Sequence, residues 1–499
     1  MKKRKVNVVI CFLAIILSCN GCAKKTTTVD KKNLAESIQD VDVFPVPDDS
    51  FVGDPMPYYE DGKFNIFYLD DLRDGQMGYH PWSLYTTKNF YEYENKGVVI
   101  PFADKANAQD IALGTGSVVK DENGLYHAFY TGHNDTYTPK EAVMHATSSD
   151  MKSWMKIPED TFNGTKNWSG NDFRDPYVLY VEEEKQYWML VSTRKDNMGV
   201  IVKYVSQDLK NWEDKGVFFV NDMDSDSNLE CPTLVKHSNK WYLSFSDQWP
   251  DRVVHYRVSD DIGGEFKKPK IDYFDSNGFY AGRLVTDGKK LYVIGWNPTK
   301  DSHLDQNNYN WAGNLVVHQL MQREDGSLYP IPVESLQEVM NHEFNLQPIK
   351  MTESILKENN EYQLGGTDYE VMMYKEFSGS NMISGTLKRN GTSDKFGFGF
   401  DLNDESVGRL NLVFDEKNSK VSFYNTSDIY NVKPQSCINL DIASMDEIPF
   451  KLLVDDTVVS LYIEDEFALT ARMYNAQRNL WGIFGIDSNI KVTNIKFNK

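Results

Sequence analysis

One strand pattern recurs five times between residues 63 and 295. Its copies are Lys63-Phe64-Asn65-Ile66-Phe67-Tyr68, Leu125-Tyr126-His127-Ala128-Phe129-Tyr130, Gln186-Tyr187-Trp188-Met189-Leu190-Val191, Lys240-Trp241-Tyr242-Leu243-Ser244-Phe245 and Lys290-Leu291-Tyr292-Val293-Ile294-Gly295. Each mixes aromatic with β-branched or long apolar residues, and Asp61-Gly62, Asn123-Gly124 and Asp287-Gly288 supply turns ahead of three of them. The copies start roughly 50 to 60 residues apart, the range of propeller blades. A second signature follows some copies: Ser149-Asp150-Met151-Lys152-Ser153-Trp154, then Gln207-Asp208-Leu209-Lys210-Asn211-Trp212, with Thr87-Lys88-Asn89-Phe90 as a weaker echo. It reads as the turn before an outer blade strand, with the Trp packed between blades. Sheets of about four strands around a central channel protect their edges by radial closure. The pattern therefore predicts an all-β chain whose residues 43–335 form a five-bladed β-propeller. A register repeated so often argues against one long irregular sandwich.

Three acidic tripeptides stand at matching places in that repeat, each about ten residues before an aromatic-rich strand: Gly53-Asp54-Pro55, Arg174-Asp175-Pro176 and Glu230-Cys231-Pro232. Equivalent positions in a rotational repeat converge on one axis. Three carboxylates in one pocket have the equipment to cut a glycosidic bond. Any one of them alone could be a turn Asp or half of a buried ion pair; the matched set is what carries the reading. Cys231 adjoins Glu230, but no His and Asn or Asp constellation supports a thiol nucleophile, so it reads as a small packing residue. The His residues show no metal-ligand spacing, so neither a metal nor another cofactor is expected.

The chain opens with the marks of export. Met1-Lys2-Lys3-Arg4-Lys5 is a basic start, and Val6 to Leu17 is an apolar run too short for a comfortable membrane span. Cys19, behind Ile16-Leu17-Ser18, or Cys22, behind Gly21, is then expected to carry a lipid, with plain secretion after Ala23 as the alternative. Residues 1–22 read as the signal and 23–42 as a polar tether. A formal charge of −20 argues against nucleic acid and anionic membrane surfaces as partners, while a neutral sugar chain is not repelled. Any membrane association would come through the lipid.

The pattern changes after residue 335. Residues 336–358 read as a linker with some helical character. Short alternating strands then follow from Tyr369-Glu370-Val371-Met372-Met373-Tyr374 to Val492-Thr493-Asn494-Ile495, separated by Gly, Asp and Asn turns. They predict an antiparallel β-sandwich over 359–499 with no catalytic constellation of its own.

The ordered motifs resemble glycoside hydrolase family 32, the invertases, inulinases and levanases, over nearly all of 45–499. Phe51-Val52-Gly53-Asp54-Pro55, Gly116-Ser117-Val118-Val119, Arg174-Asp175-Pro176, Glu230-Cys231-Pro232, Phe279-Tyr280-Ala281, Gly295-Trp296 and Trp311-Ala312-Gly313 carry the likeness, and Val454-Asp455-Asp456 through Arg472-Met473-Tyr474 extends it into the sandwich. The resemblance implies a retaining β-fructosidase acting on an oligo- or polysaccharide. Asp54 is then the nucleophile and Glu230 the acid/base, its pKa raised by neighbouring charge and partial burial. Asp175 grips sugar hydroxyls, and Arg174 contacts the sugar or orients Glu230. Trp82, Ser117, Phe279, Tyr280 and Trp311 are the expected substrate-binding residues, with Trp249 a further aromatic candidate. The chain departs from the family at Gly53 and Met56, where side-chain amides commonly line the fructosyl subsite. That departure predicts a preference for fructan oligomers over sucrose. Three other readings stay open at this point: an inverting five-bladed arabinanase or xylosidase type, a fructosyltransferase, and a surface lipoprotein that captures oligosaccharides without cutting them.

Overall fold

The structure, a computed structural model, describes residues 41–72, 79–164, 167–344, 346–403, 407–463 and 466–499. Cys19 and Cys22 lie outside them.

Five antiparallel blades follow one another along the chain up to Ile331, the first and last joined in one eight-stranded sheet. Each starts at the axis with one strand and steps outward. The innermost strands are Phe51–Glu60, Ala112–Lys120, Phe173–Val181, Leu229–His237 and Tyr280–Thr286. The second strands are Lys63–Asp71, Tyr126–His133, Gln186–Lys195, Lys240–Asp247 and Leu291–Lys300, and these contain the five aromatic-rich repeats. Blade four holds three strands, and the isolated bridges Val258–Lys267 and His255–Tyr273 extend it outward. The ring closes through Val52, which pairs with Gly313 on the third strand of blade five.

Local sequence explains the hairpins. Asp61 and Gly62 both take positive φ, 49° and 75°, in the two-residue turn between the first strands of blade one. This is the turn whose twist matches that of paired strands, and Asp-Gly suits it. Asp196 and Asn197 repeat it in blade three, at 50° and 66°. The second signature is also one structure in three copies. In each, a hydroxyl of Thr87, Ser148 or Ser206 accepts the N–H three residues on, at 2.9 Å. Phe90, Met151 and Leu209 there all have φ of 60°. Trp154 packs on Phe67 of the blade before it, ring centroids 5.9 Å apart, and Trp212 on Phe129, at 5.4 Å. The tryptophans wedge neighbouring blades together, as their spacing predicts.

Beyond Ile331 two antiparallel sheets of eight and seven strands stack face to face. Phe396, Phe398, Phe414, Leu452, Leu461 and Trp481 lie in the core between them. Two interior strands, Asn381–Arg389 and Leu480–Ile486, escape the sequence pattern. Ser-Gly-Thr interrupts the first, and two glycines dilute the second. The stretch read as a linker carries a helix, Glu334–Val339, and then short strands, Glu343–Phe344, Lys350–Met351 and Leu356–Glu358, that pair onto the sandwich sheets. It is therefore an edge of the sandwich rather than a free connector.

Candidate active site

The innermost strands share a defect. Pairing with the second strand slips at Gly53/Met56, Leu113/Gly116, Glu230/Thr233 and Tyr280/Arg283, and in blade three at Leu190/Ser192 on the partner strand. A bulge of this kind bends a strand and re-aims its side chains. At its centre Asp54, Asp175, Cys231 and Ala281 hold φ of 36°, 60°, 54° and 51°. Strained left-handed backbone of this sort clusters at functional sites. Each is followed by Pro or Gly, and Thr115-Gly116 stands at the same place in blade two.

Two rings of side chains result. The bulge ring is Asp54, Thr115, Asp175, Cys231 and Ala281. The ring one residue earlier is Gly53, Gly114, Arg174, Glu230 and Tyr280. Glu230 is therefore the counterpart of Arg174 and Tyr280, not of Asp54 and Asp175, which corrects the simple matching of the three acids.

Each carboxylate has its own surroundings. Trp296 donates its indole N–H to Oδ1 of Asp54 at 2.9 Å. Asp175 is buried; the Thr115 hydroxyl donates to its Oδ1, and the Cys231 N–H to its Oδ2 at 2.9 Å. Arg283 donates to Thr115 Oγ1 at 3.1 Å and to the Pro232 carbonyl at 3.0 Å, bracing two bulges from below. Glu230 accepts from Nε and Nη2 of Arg174 at 3.3 and 3.2 Å on Oε1, and from the Tyr280 hydroxyl at 2.7 Å on Oε2. Arg174 is held in turn by Glu141 Oε2 at 3.2 Å and Asp172 Oδ1 at 3.0 Å. The guanidinium is thus held between Glu230 and two further carboxylates.

The electrostatics follow from crowding. Asp54 is pushed up to about 7, first by burial, then by the charges of Glu230 and Asp175, against the pull of Trp296 and Arg283. Burial also raises Glu230, with Asp175 adding to it and Arg174 and Tyr280 opposing. Asp54 and Glu230 therefore do not ionise independently. Both shifts favour the protonated form of each carboxyl over its ordinary state. Burial raises the Cys231 thiol well above its ordinary value, which disfavours the thiolate form.

The expected substrate contacts divide. Tyr280 and Trp311 line the site. Trp311 lies edge-on to Trp296 at 5.9 Å and beside His80 at 4.5 Å. It also explains Gly53, because a Cβ there would sit 2.3 Å from the indole Cη2. The ring fills the place of the missing side chain. Trp82, Ser117 and Phe279 are corrections. Trp82 is fully buried and spends its N–H on the Gly114 carbonyl at 2.9 Å. Ser117 donates to the Pro176 carbonyl and accepts from the Val178 N–H, stitching blade two to blade three. Phe279 is fully buried against His318 and Gly295. Met56 is no subsite residue either: it is buried, and its sulfur accepts the Gly116 N–H at 3.1 Å. Trp249 stays partly exposed on the rim, bonded to Asp226.

Sequence reasoning passed over Glu141 and Arg283 and quoted Trp296 only as part of a motif. Glu141 opens an ordinary-looking strand and carries no local signal. Trp296 lies inside one quoted motif, Gly295-Trp296, and Arg283 stands two residues after another, Phe279-Tyr280-Ala281, so nearness to those motifs was the only signal. Among the described residues, no group of three or more His, Cys, Asp or Glu side chains is arranged to hold a metal ion.

Comparison with known proteins gives two family models. "Glycosyl hydrolases family 32 N-terminal domain" matches residues 46–332, and "GH32, BT1760-like, C-terminal domain" matches 333–497. Among curated relatives, a levanbiose-producing levanase of Bacillus subtilis is 27% identical over 63% of this chain and 66% of the levanase. A sucrose-6-phosphate hydrolase of Staphylococcus xylosus is 26% identical over 52% of this chain and 55% of that enzyme. The chain thus spans no more than about two thirds of either relative, at 66% and 55%. In fold it is similar to an exo-inulinase of Aspergillus awamori, with a TM-score of 0.71, 15% identity and coverage of 92% of this chain and 97% of the other. A fructan 1-exohydrolase of Cichorium intybus gives 0.70, 16%, 93% and 98%.

Proposed function

The chain belongs to glycoside hydrolase family 32, and from that premise we propose that it is a retaining glycosidase cleaving β-fructosidic bonds in fructans or sucrose-type sugars. The observation that carries this reading is the meeting of Asp54 and Glu230 at the head of the propeller axis, each with a dedicated donor set. In this reading Asp54 attacks the anomeric carbon of a fructosyl unit. Glu230 gives its proton to the departing sugar oxygen, and a covalent fructosyl–Asp54 ester remains. Glu230, now a carboxylate, takes a proton from water. The resulting hydroxide equivalent releases fructose and frees Asp54. Asp175, anchored from below by Thr115 and Cys231, turns its remaining lone pairs to ring hydroxyls, whose bonds strengthen as positive charge develops. The names of the relatives, which include a levanase, a sucrose-6-phosphate hydrolase and an exo-inulinase, support a fructose-containing substrate.

Product analysis on sucrose, inulin, levan and arabinan tests this. Release of fructose or short fructo-oligosaccharides is the expected result; cleavage of arabinan alone would sink it. The acid role has its own test. Glu230→Ala should lose most activity on natural sugars but retain it on fructosides with good leaving groups, and azide should restore part of the loss. Equal damage on both substrate types would remove Glu230 from that role.

We also propose that the mature chain is exported and held at the outer face of a bacterial cytoplasmic membrane by a lipid on Cys19 or Cys22. The support is the basic start, the short apolar run and the cysteines that follow it. Replacing both cysteines with Ser should move the protein from the membrane fraction to the medium, and unchanged fractionation would end the idea.

A further inference from the structure

Arg174 is shared among three carboxylates. Its Nε and Nη2 both go to one oxygen of Glu230, Oε1, at 3.3 and 3.2 Å. The other oxygen of Glu230 is taken by the Tyr280 hydroxyl. The guanidinium therefore does not close on Glu230 as the two-oxygen fork that makes an arginine–carboxylate pair strongest. Its Nη1 is turned away, to Glu141 Oε2 at 3.2 Å and Asp172 Oδ1 at 3.0 Å. Burial works against the Arg174 charge, but Glu141 first, and then Glu230, Asp175 and Asp172, more than offset that and hold its pKa well above the ordinary value.

Glu141 is fixed for this hold. It is buried, at the first residue of the strand Glu141–Ser148 in blade two. Its Oε2 also accepts the Phe173 N–H of blade three at 2.8 Å, one residue before Arg174. The carboxylate is thus pinned to the backbone beside the bulge that carries Asp175. Across its own hairpin it faces His133, whose Nδ1 lies 3.5 Å from Oε1. Asp135 and Lys140 stand behind His133 at the exposed end of that hairpin.

We infer that Glu141, with Asp172 beside it, is a positioning residue for the acid/base. The two carboxylates draw off part of the Arg174 charge, so that Arg174 fixes Glu230 in place without locking it in the ionised form. The inference rests on the fructosidase reading, in which Glu230 must carry a proton when the sugar oxygen departs. The other groups facing Glu230 are Asp175 and Asp54, whose charges favour the proton, and Tyr280, which opposes it and has Arg252 over its ring at 4.4 Å. Those facing Glu141 are Arg174 and His133, with Lys140 farther out.

Glu141→Gln keeps the shape and an oxygen for the Phe173 N–H but removes the charge. Arg174 then acts more fully on Glu230 and lowers its pKa, so less of the acid is protonated at a given pH. In purified full-length protein, assayed on sucrose, inulin or levan, whichever the parent cleaves, the basic limb of the kcat/KM profile should move down by about half a pH unit. That is a fraction of the roughly one to three units caused by an opposite charge in direct contact. At neutral pH kcat on the natural sugar should fall several-fold with KM nearly unchanged. A fructoside with a good leaving group, which needs no proton, should lose little. Asp172→Asn, at a partly exposed residue, should move the limb the same way and carries the test if the buried substitution upsets folding. A limb that stays put in the folded variants, or equal loss on both substrate types, overturns the positioning role whatever happens to the melting temperature. A parent that cleaves no fructoside overturns the fructosidase reading, and the positioning role falls with it.

Discussion

At the residue scale, the site separates its acids by what donates to them. Tyr280 and Arg174 favour ionised Glu230, while burial and Asp175 favour its protonated form. Removing one donor should therefore shift the balance in a known direction. In Tyr280→Phe the carboxylate loses the 2.7 Å hydroxyl bond, so its pKa rises. The acid then stays protonated to higher pH, and the basic limb of the kcat/KM profile should move up, as pH-rate measurements would show. A limb that stays put would mean that another group supplies the proton. Asp54 makes a second prediction, on stability. Its carboxyl is raised from 3.8 to about 7 in the folded state. The folded protein then binds a proton that the unfolded chain has released. This contribution is fully present below the unfolded pKa near 4 and is lost as pH rises through about 7. Asp54→Asn removes that loss. The variant's melting temperature relative to the parent should climb steadily between pH 4 and pH 8, and a constant difference would contradict the shift.

At the scale of the element, the bulge is the device that re-aims the side chains of an ordinary blade strand toward the shared site. The turn signatures and aromatic repeats made the blades legible, because hairpin turns and inter-blade tryptophans depend on a few local residues. The bulges were not legible as such. Asp-Pro, Thr-Gly, Cys-Pro and Ala-Gly look unrelated until the register slip aligns them. For the same reason Asp54, Asp175 and Glu230 could be picked from sequence, but the half-step offset of Glu230 could not. Burial defeated the substrate-contact readings at Trp82, Ser117 and Phe279. An aromatic or hydroxyl residue beside a catalytic motif looks the same on paper whether it faces the channel or the next blade. Glu141 shows the opposite limit, since its bond to Arg174 crosses from blade two to blade three and leaves no trace in either segment. The bulge of blade two offers a test without touching a carboxylate. A Cβ on Gly116 would fall 1.8 Å from the Phe129 carbonyl oxygen, which is backbone and cannot swing aside. Gly116→Ala should cost at least ~2 kcal/mol by urea titration, at the upper end of overpacking effects. It should also reduce activity, because Thr115 next to it holds Asp175.

For the whole molecule, the decisive fact is that propeller and sandwich share one interior. A single apolar cluster runs from Leu284, Val316 and Leu320 of the last blade to Leu453, Val458 and Tyr462 of the sandwich. Arg472 reaches across it, donating to the carbonyls of Asn297 and Pro298 at 2.8 and 3.0 Å, directly behind Trp296. Asp275 lies fully buried at the same seam, accepting the Thr470 N–H at 2.8 Å, with His318 Nε2 3.2 Å away. His318 in turn meets the Tyr462 hydroxyl at 2.8 Å. A seam built this way does not open independently of the parts it joins, because opening it would expose a large apolar surface together with a carboxylate whose partners sit on the other side. The sandwich therefore supports the catalytic blade even where it touches no sugar. Full-length protein should unfold in one calorimetric transition, and residues 41–333 expressed alone should fail to give a cooperative one. Asp275→Ala should lower the stability of the whole by roughly 3 kcal/mol, the scale of breaking a buried charged network. Two separate transitions, with only one of them moved by Asp275→Ala, would show instead that the propeller stands by itself and that the shared interior is contact without dependence.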